Sequence, residues 1–438
     1  MSALRYESFT VQGAAGTADE RAAEFVRAID YGFLDAPRGA ELEIKQLDRF
    51  RAENTLLTAV YDDAQPAGAV HAARPVATFG DYVGSVGVAD GVTLPAQMVT
   101  EVTVRGTHRR RGILSTMMRG ALARAKAAGV PLSLLTASEG GIYGRYGYGC
   151  AAYSTEVTIQ VRDGLGLRPA VSEALKAAQL SVFVPSWEAF PALYEDAYAA
   201  FQLATPGQTG HTHAYRSRAA GDSNAWAIKG GERDVRPLVV TGPDGAVRGY
   251  ALSSFAGFDV QPTRLKVVDL GAADQLAELA LWEALAATDL VEELVWREAP
   301  DDFALGWALV NQRDVVRGRR ADHLWVRVLD VVEAFNARGL SADGAVVLEV
   351  EDRLDLIAGE FTLSRDAGET LCAPGVSGAG ADAPRLRLDA EALGSLYLGT
   401  VSVSELVRYG RAHAEAAELA GLNALFAPGR APRNSYTF

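Results

Sequence analysis

The hydrophobic and polar positions of this chain fall into strand-like and helix-like runs that alternate from one end to the other. In the first third, Met98-Val99-Thr100-Glu101-Val102-Thr103-Val104 reads as a strand. Ile113, Met117 and Ala121, with Leu114, Met118 and Leu122, then recur at four-residue spacing, which predicts a helix to about Ala128 with one apolar stripe. Gly129-Val130-Pro131 is a stop signal, and Leu132-Ser133-Leu134-Leu135 is a second short strand. Upstream, residues 18–35 predict a helix with Ala22, Phe25, Val26 and Ile29 on one face, broken at Asp35-Ala36-Pro37-Arg38-Gly39. Residues 55–61 and 67–72 read as paired strands around a turn at Asp62–Gly68. Ala151 to Val161 is a further strand, with Thr155, Val157, Ile159 and Val161 in period two.

Asp163-Gly164-Leu165-Gly166-Leu167-Arg168-Pro169 reads as a linker, so a first boundary falls near residue 160. The middle third loosely repeats the plan. Val182–Pro185 is a strand, Trp187–Ala200 a helix, Arg248–Ser254 and Arg264–Leu270 are strands, and Asp274–Ala287 is a helix. Here the turn before the helix is Leu270-Gly271-Ala272-Ala273-Asp274, without an arginine and with an acid. The last third opens at Gln312–Arg317. Leu324–Asp330 reads as a strand, Val331–Ala337 as a short helix stopped by Gly339, and Val346–Val350 and Leu354–Leu363 as antiparallel strands. The chain therefore divides into residues 1–160, 161–310 and 311–438.

The apolar fraction of 49% over 438 residues is enough for sizeable cores. A net charge of −13 argues against nucleic acid as the main partner, and makes three consecutive arginines a local anion site. Two cysteines, Cys150 and Cys372, are too few for a disulfide framework or a zinc site and fit a reducing compartment. The N-terminus lacks a signal-peptide core, and no apolar run approaches the ~20 residues of a membrane helix. These features predict a cytoplasmic protein that binds no membrane.

The chemistry concentrates in Arg105-Gly106-Thr107-His108-Arg109-Arg110-Arg111-Gly112, between the strand and the helix. A helix N-terminus presents unpaired N–H groups and a partial positive charge. A phosphate or pyrophosphate satisfies both. Gly112 permits close approach, and the arginines add charge-assisted hydrogen bonds. A glycine-rich elbow, Ser138–Gly149, follows the second strand. No Ser-His-Asp order, metal-ligand cluster or Walker loop is evident. His108 reads as structural. His211 and His213 lie in a Gly-rich stretch that reads as a surface loop, because a two-histidine metal site lacks a third ligand.

Arg109-Arg110-Arg111-Gly112-Ile113-Leu114 is similar to the acetyl-coenzyme A loop of GNAT-superfamily N-acetyltransferases, usually Arg/Gln-x-x-Gly-x-Gly/Ala, with Leu114 at the last position. Tyr143-Gly144-Arg145-Tyr146-Gly147-Tyr148 is similar to the Tyr-x-x-x-Gly-Phe element of the same superfamily. Together with Thr107–Gly112 and Ala137–Arg145 they resemble the Eis (enhanced intracellular survival) family of acetyltransferases. That resemblance implies an α/β (α+β) chain of tandem GNAT folds with mixed central sheets and flanking helices. Residues 1–160 would bind acetyl-coenzyme A and residues 161–310 would lack the pyrophosphate loop. Residues 311–438 would form a sterol-carrier-like domain whose C-terminus reaches the active site.

The same resemblance implies acetyl-coenzyme A as cosubstrate, no metal, and a homo-hexamer built as a trimer of dimers. Backbone groups of Val102, Thr103 and Val104 would meet the pantetheine arm and thioester oxygen. Arg109, Arg110, Arg111, Gly112, Ile113, Leu114 and Ser115 would hold the pyrophosphate, and Ser138 and Glu139 would line the pantetheine or acceptor side. Tyr143 would be the general acid and the terminal carboxylate of Phe438 the general base; a Tyr143 packed with a satisfied hydroxyl is the alternative. Tyr31, Phe33, Asp35 and Thr437 would wall the acceptor, although Phe33 also fits a core aromatic and Asp35 an exposed turn. The acceptor would be a small cationic amine such as an aminoglycoside, a polyamine or a lysine. Eis sequences tend to carry an acidic residue where this chain has Thr437. The competing function is a lipid- or partner-binding protein that uses the last domain and keeps the others as scaffold.

Overall fold

The structure, a computed structural model, describes residues 4–70, 73–221, 235–376, 378 and 382–438. The first third runs β1 (Leu4–Phe9), α1 (Glu20–Phe33), α2 (Ala40–Ala52), β2 (Leu56–Asp62), β3 (Ala77–Ala89), β4 (Val92–Val104), α3 (Ile113–Ala127), β5 (Leu132–Thr136) and β6 (Gly149–Gln160). After α4 (Pro169–Ala177) the same order returns. It comprises β7 (Ser181–Phe183), α5 (Phe190–Leu203), α6 (His213–Ala219), β8 (Arg236–Thr241), β9 (Val247–Phe255), β10 (Arg264–Ala272), α7 (Gln275–Ala286) and β11 (Glu293–Pro300), then α8 (Leu305–Ala308) and β12 (Val315–Val328). The last part is α9 (Val331–Arg338), β13 (Gly344–Glu351), β14 (Gly359–Asp366), β15 (Glu369–Pro374), β16 (Arg385–Asp389), α10 (Ala390–Tyr397), α11 (Val403–Arg408), β17 (Ala412–His413) and α12 (Leu419–Phe426).

The two repeats share one twelve-stranded sheet, ordered β1-β2-β3-β4-β5-β12-β6-β11-β10-β9-β8-β7. Each repeat holds one parallel pair joined through a helix, β4 with β5 and β10 with β11. The final strands are exchanged: β12 of the second repeat pairs antiparallel with β5, and β6 of the first pairs with β11. The strand expected to open the last third thus lies in the middle of the large sheet, and the C-terminal domain proper begins with α9. That domain is a separate five-stranded sheet, β15-β14-β13-β16-β17. Among the described residues no helix is long and apolar enough to cross a membrane, and Cys150 and Cys372 are free thiols.

Other differences from the sequence reading have local causes. Residues 67–70 are irregular rather than a strand, and 71–72 lie outside the described residues. The true partner of β2 is β3, whose alternation is blurred by Gly80, Gly84 and Gly87. Helix α2 escapes the pattern because charged residues interrupt its sequence, AELEIKQLDRFRA, and it buries only Gln46, Leu47, Arg49 and Phe50. Leu354–Ala358 is a turn, with Asp352 accepting from the N–H groups of Leu354, Leu356 and Ile357.

The C-terminal domain is welded to the first repeat by a shared apolar core. That core includes Ala96 and Met98 of β4, Leu324 and Val326 of β12, Phe335, Leu393, Tyr397 and Phe438. Helix α10 lies so close to the sheet that a Cβ built at Gly394 would sit 2.2 Å from the Val326 carbonyl oxygen. Backbone cannot yield there as a flexible side chain would. Gly394→Ala should therefore destabilise the protein by about 1–3 kcal/mol, the usual cost of overpacking. A clear drop in the thermal midpoint is the expected reading; an unchanged midpoint would contradict this packing.

Candidate active site

The site starts where two parallel strands part. β4 and β5 pair from Ala96↔Leu132 to Val99↔Leu135 and no further. Immediately beyond, the β3/β4 register shifts, so that Phe79 faces both Glu101 and Val102 across the bulge. Glu101 takes a left-handed φ of 54°, unusual for a residue with a side chain and typical of functional sites. The parting leaves a cavity of about 200 Å³ lined by Ile29, Phe33, Asp35, Arg38, Val99, Thr100, Glu101, Val102, Leu135, Thr136, Ser138, Tyr143, Thr437 and Phe438.

Seven residues singled out from the sequence meet there: Phe33, Asp35, Val102, Ser138, Tyr143, Thr437 and Phe438. Tyr143 is buried, its ring edge-on to Tyr148 at 6.2 Å between centroids. Tyr148 is in turn fixed through Ser133 Oγ, 2.6 Å from its hydroxyl, and Ser133 donates to Gln97 Oε1. Among the described residues no group hydrogen-bonds the Tyr143 hydroxyl. Burial, with the Glu139 charge and Tyr146 beside it, pushes the Tyr143 hydroxyl above its ordinary pKa.

The arginine loop frames the other side. Gly112 is the N-cap of α3, at φ 79°, with no side-chain cap and nothing within 4 Å of a Cβ built there. The helix end is thus open to an anion and fits a pyrophosphate. Arg109 and Arg110 are exposed. Arg109 lies 3.7 Å from Glu139, and Arg111 lies 3.4 Å from Asp62, which His108 also contacts at 3.1 Å. His108 is therefore a buried brace of the loop. The side chain of Ile113 is buried in the core, and the Thr103 hydroxyl is 2.6 Å from Thr78 Oγ1. These two offer a ligand only their backbone. In the second repeat the equivalent helix end is closed: Asp274 Oδ1 accepts from the N–H groups of Leu276 and Ala277, and Arg248 lies 2.8 Å from the carboxylate. The acid read in that turn occupies the anion's place itself.

The last residues are an anchored arm, not a frayed end. Pro432–Tyr436 are buried. Arg433 donates to the Leu270 carbonyl at 2.6 Å and lies over the rings of Trp296 and Phe201. Ser435 N–H donates to Gln208, and the Tyr436 ring stacks on Tyr215 at 3.5 Å and on Tyr198 at 5.1 Å. Asp269 Oδ2 accepts from the hydroxyls of Tyr194, Tyr250 and Tyr436 and from Arg218, at 3.0–3.2 Å. His211, expected on a surface loop, is stacked 4.4 Å from Tyr198, with Glu195 2.7 Å from its Nδ1.

Sequence reasoning missed Glu101 and the residues that hold it. Glu101 Oε1 accepts from Arg49 Nη1 at 2.9 Å and Gln46 Nε2 at 3.0 Å, and Arg38, paired with Asp30, donates to Gln46 Oε1. The one available signal was an acid inside the otherwise uncharged strand Met98–Val104.

Sequence profiles of an acetyltransferase (GNAT) domain match residues 16–151 and, separately, 212–328, and a sterol carrier protein domain profile matches 331–434. An uncharacterized N-acetyltransferase of Streptomyces avermitilis is 33% identical over 410 residues, which is 90% of each chain. N-acetyltransferase Eis of Mycobacterium tuberculosis is 31% identical over 75% of this chain and 77% of its own. The crystal structure of Eis1 from Mycobacterium abscessus covers 99% of this chain and 100% of its own, with a TM-score of 0.75 at 26% identity. Fold and site thus define a tandem GNAT acetyltransferase with a sterol-carrier-like third domain, a fold that implies acetyl-coenzyme A as cosubstrate. The chain belongs to the Eis-like family of N-acetyltransferases.

The two helix ends give a paired test. Replacing Arg110 and Arg111 together by Ala should weaken acetyl-coenzyme A binding by at least tenfold, since each charged hydrogen bond is worth about 1.5–3 kcal/mol. Asp274→Ala should leave the affinity unchanged. Calorimetry showing wild-type affinity in the folded double variant would contradict this assignment of the loop.

Proposed function

We propose that this protein transfers acetyl from acetyl-coenzyme A directly to a primary amine of a small cationic acceptor, such as an aminoglycoside, a polyamine or a lysine-like amine. The observation that carries the reading is the single cavity shared by Tyr143, Phe438 and Asp35. Transfer needs a deprotonated amine, a polarised thioester carbonyl, a proton for the departing sulfur, and the two reactants in line. The carboxylate of Phe438 is the proposed base, taking the amine proton through a water because a terminal carboxylate, pKa about 3.3–3.7, is weak on its own. The Tyr143 hydroxyl is the proposed acid. The β4 backbone at Val102 to Val104 is the proposed seat of the pantetheine arm. Arg109, Arg110, Arg111 and Ser115 with the α3 N-terminus take the pyrophosphate, and Ser138 and Glu139 flank the approach.

The functional unit in this reading is a hexamer of three dimers. Exposed Trp307 and Val310, beside the 163–168 linker, are apolar surface that further copies would cover. A net charge of −13 favours encounter with cationic acceptors.

Thiol release from acetyl-coenzyme A in the presence of a polyamine or aminoglycoside tests the reaction. Tyr143→Phe should keep acetyl-coenzyme A affinity and lower turnover by about 10²–10⁴. Because burial raises the Tyr143 pKa, its proton is retained through the range in which a free phenol, near ~10, begins to ionise. The wild-type rate should therefore rise with pH as the acceptor ammonium deprotonates, with no falling limb owed to Tyr143 below about pH 10. A Tyr143→Phe enzyme with wild-type turnover, or a falling limb near neutrality that this variant removes, would defeat the assignment.

A further inference from the structure

We propose that Glu101 is the specificity carboxylate of the acceptor site, receiving a second cationic group of the acceptor, so that the favoured substrates are diamines and polyamines over simple monoamines. This inference rests on reading the cavity as the place of acetyl transfer. Glu101 lines that cavity from the bulge of β4, and its side chain is only 8% exposed. Both of its side-chain hydrogen bonds, from Arg49 and Gln46, fall on Oε1. Oε2 is the oxygen that neither donor takes.

The charge count around it is unequal. Arg49 is buried and serves two carboxylates, Glu101 at 2.9 Å and Glu53 at 3.1 Å, with side chains 8% and 6% exposed. Burial opposes the Arg49 charge, yet the two carboxylates hold its pKa above the ordinary value. Among the described residues Glu101 and Glu53 share the guanidinium of Arg49, in a poorly solvated place where a carboxylate gains from a further cation. The neighbouring cation Arg38 is already paired with Asp30. Exposed Asp35 adds a further negative charge to the same wall. An ammonium group entering the cavity is what this arrangement lacks.

The second repeat shows the same position when filled. Glu101 stands two residues past Val99, the last β4 residue paired with β5, and Asp269 stands two residues past Val267, the last β10 residue paired with β11. Both lie at a register shift with the preceding strand. Around Asp269 the chain supplies its own guanidinium, Arg218, together with three tyrosine hydroxyls, one of them from the C-terminal arm. In the second repeat Asp269 itself is met by the protein's own cation and hydroxyls, whereas Glu101 lines an open cavity.

The test compares cadaverine with pentylamine, equal in length and differing by one ammonium group. Wild-type enzyme should favour cadaverine. Glu101→Gln should raise the KM for cadaverine by about 10- to 100-fold, the worth of one charged hydrogen bond, with the KM for pentylamine and the Kd for acetyl-coenzyme A within about threefold of wild type. A variant that keeps the full preference overturns the proposal. Should Glu101→Gln fail to fold, Glu101→Asp keeps the charge on a shorter stem and should give a smaller loss of the same preference; an unchanged preference again overturns it. If wild-type enzyme releases thiol with neither these amines nor an aminoglycoside, the transfer reading falls, and calorimetric binding of cadaverine decides this proposal alone. Weaker binding to Glu101→Gln sustains it, and equal binding ends it.

Discussion

The parting of β4 from β5 is the constraint on which the rest depends. Parallel pairing holds as far as Val99↔Leu135, and the bulge at Glu101 then turns the strand away. A sheet cannot leave two strand edges unpaired inside a protein without giving their polar groups other partners. In the first repeat the gap is left as a cavity beside an uncapped helix end, suited to an extended, amide-bearing ligand with an anionic tail. In the second repeat the β10–β11 parting is taken up by the chain itself, with Arg433 bonded to the Leu270 carbonyl and Tyr436 bonded to Asp269. One architecture, repeated, thus yields one open helix end and one closed helix end.

The exchange of β6 and β12 and the shared core with the third domain explain how a distant end of the chain can reach the open notch. Strand β12 lies against β5, whose Leu135 and Thr136 line the first cavity, and α9 follows β12 directly into the C-terminal domain. From that domain the arm returns through the second repeat, fixed at Arg433, Ser435 and Tyr436, before Phe438 enters the cavity. Each anchor is a buried polar group with a partner, so the position of Phe438 is held by several independent contacts. The second repeat is thus the receptor for the arm.

Legibility in the sequence followed the physics of each feature. The helix at Ile113–Ala127 was readable because its apolar residues recur at helical spacing, and the loop before it because arginines and a glycine at a helix start have few other uses. The closed helix end of the second repeat was half readable: Asp274 stood out in the turn, but its role as cap to Leu276 and Ala277 needed coordinates. Strand β3 was hidden by its glycines, α2 by its charges, and the strand exchange by the fact that pairing across the sheet leaves no local trace. Glu101 was overlooked because its meaning lies in Arg49 and Gln46, 52 and 55 residues away in sequence. Gly207–Thr212 is a loop as read, but His211 was misread as exposed, and only the packed ring of Tyr198 reveals why a histidine sits there.

The central claim is that transfer is carried out in the cavity that Tyr143 and the Phe438 carboxylate share. The most direct measurement is amine-dependent thiol release by a chain carrying one additional glycine after Phe438, compared with a chain extended at its N-terminus. The account predicts that the C-terminal extension leaves the fold and acetyl-coenzyme A affinity intact and lowers turnover by about 10²–10⁴, as expected for loss of a positioned base, while the N-terminal extension has no effect. Full turnover from the C-terminally extended chain would contradict it.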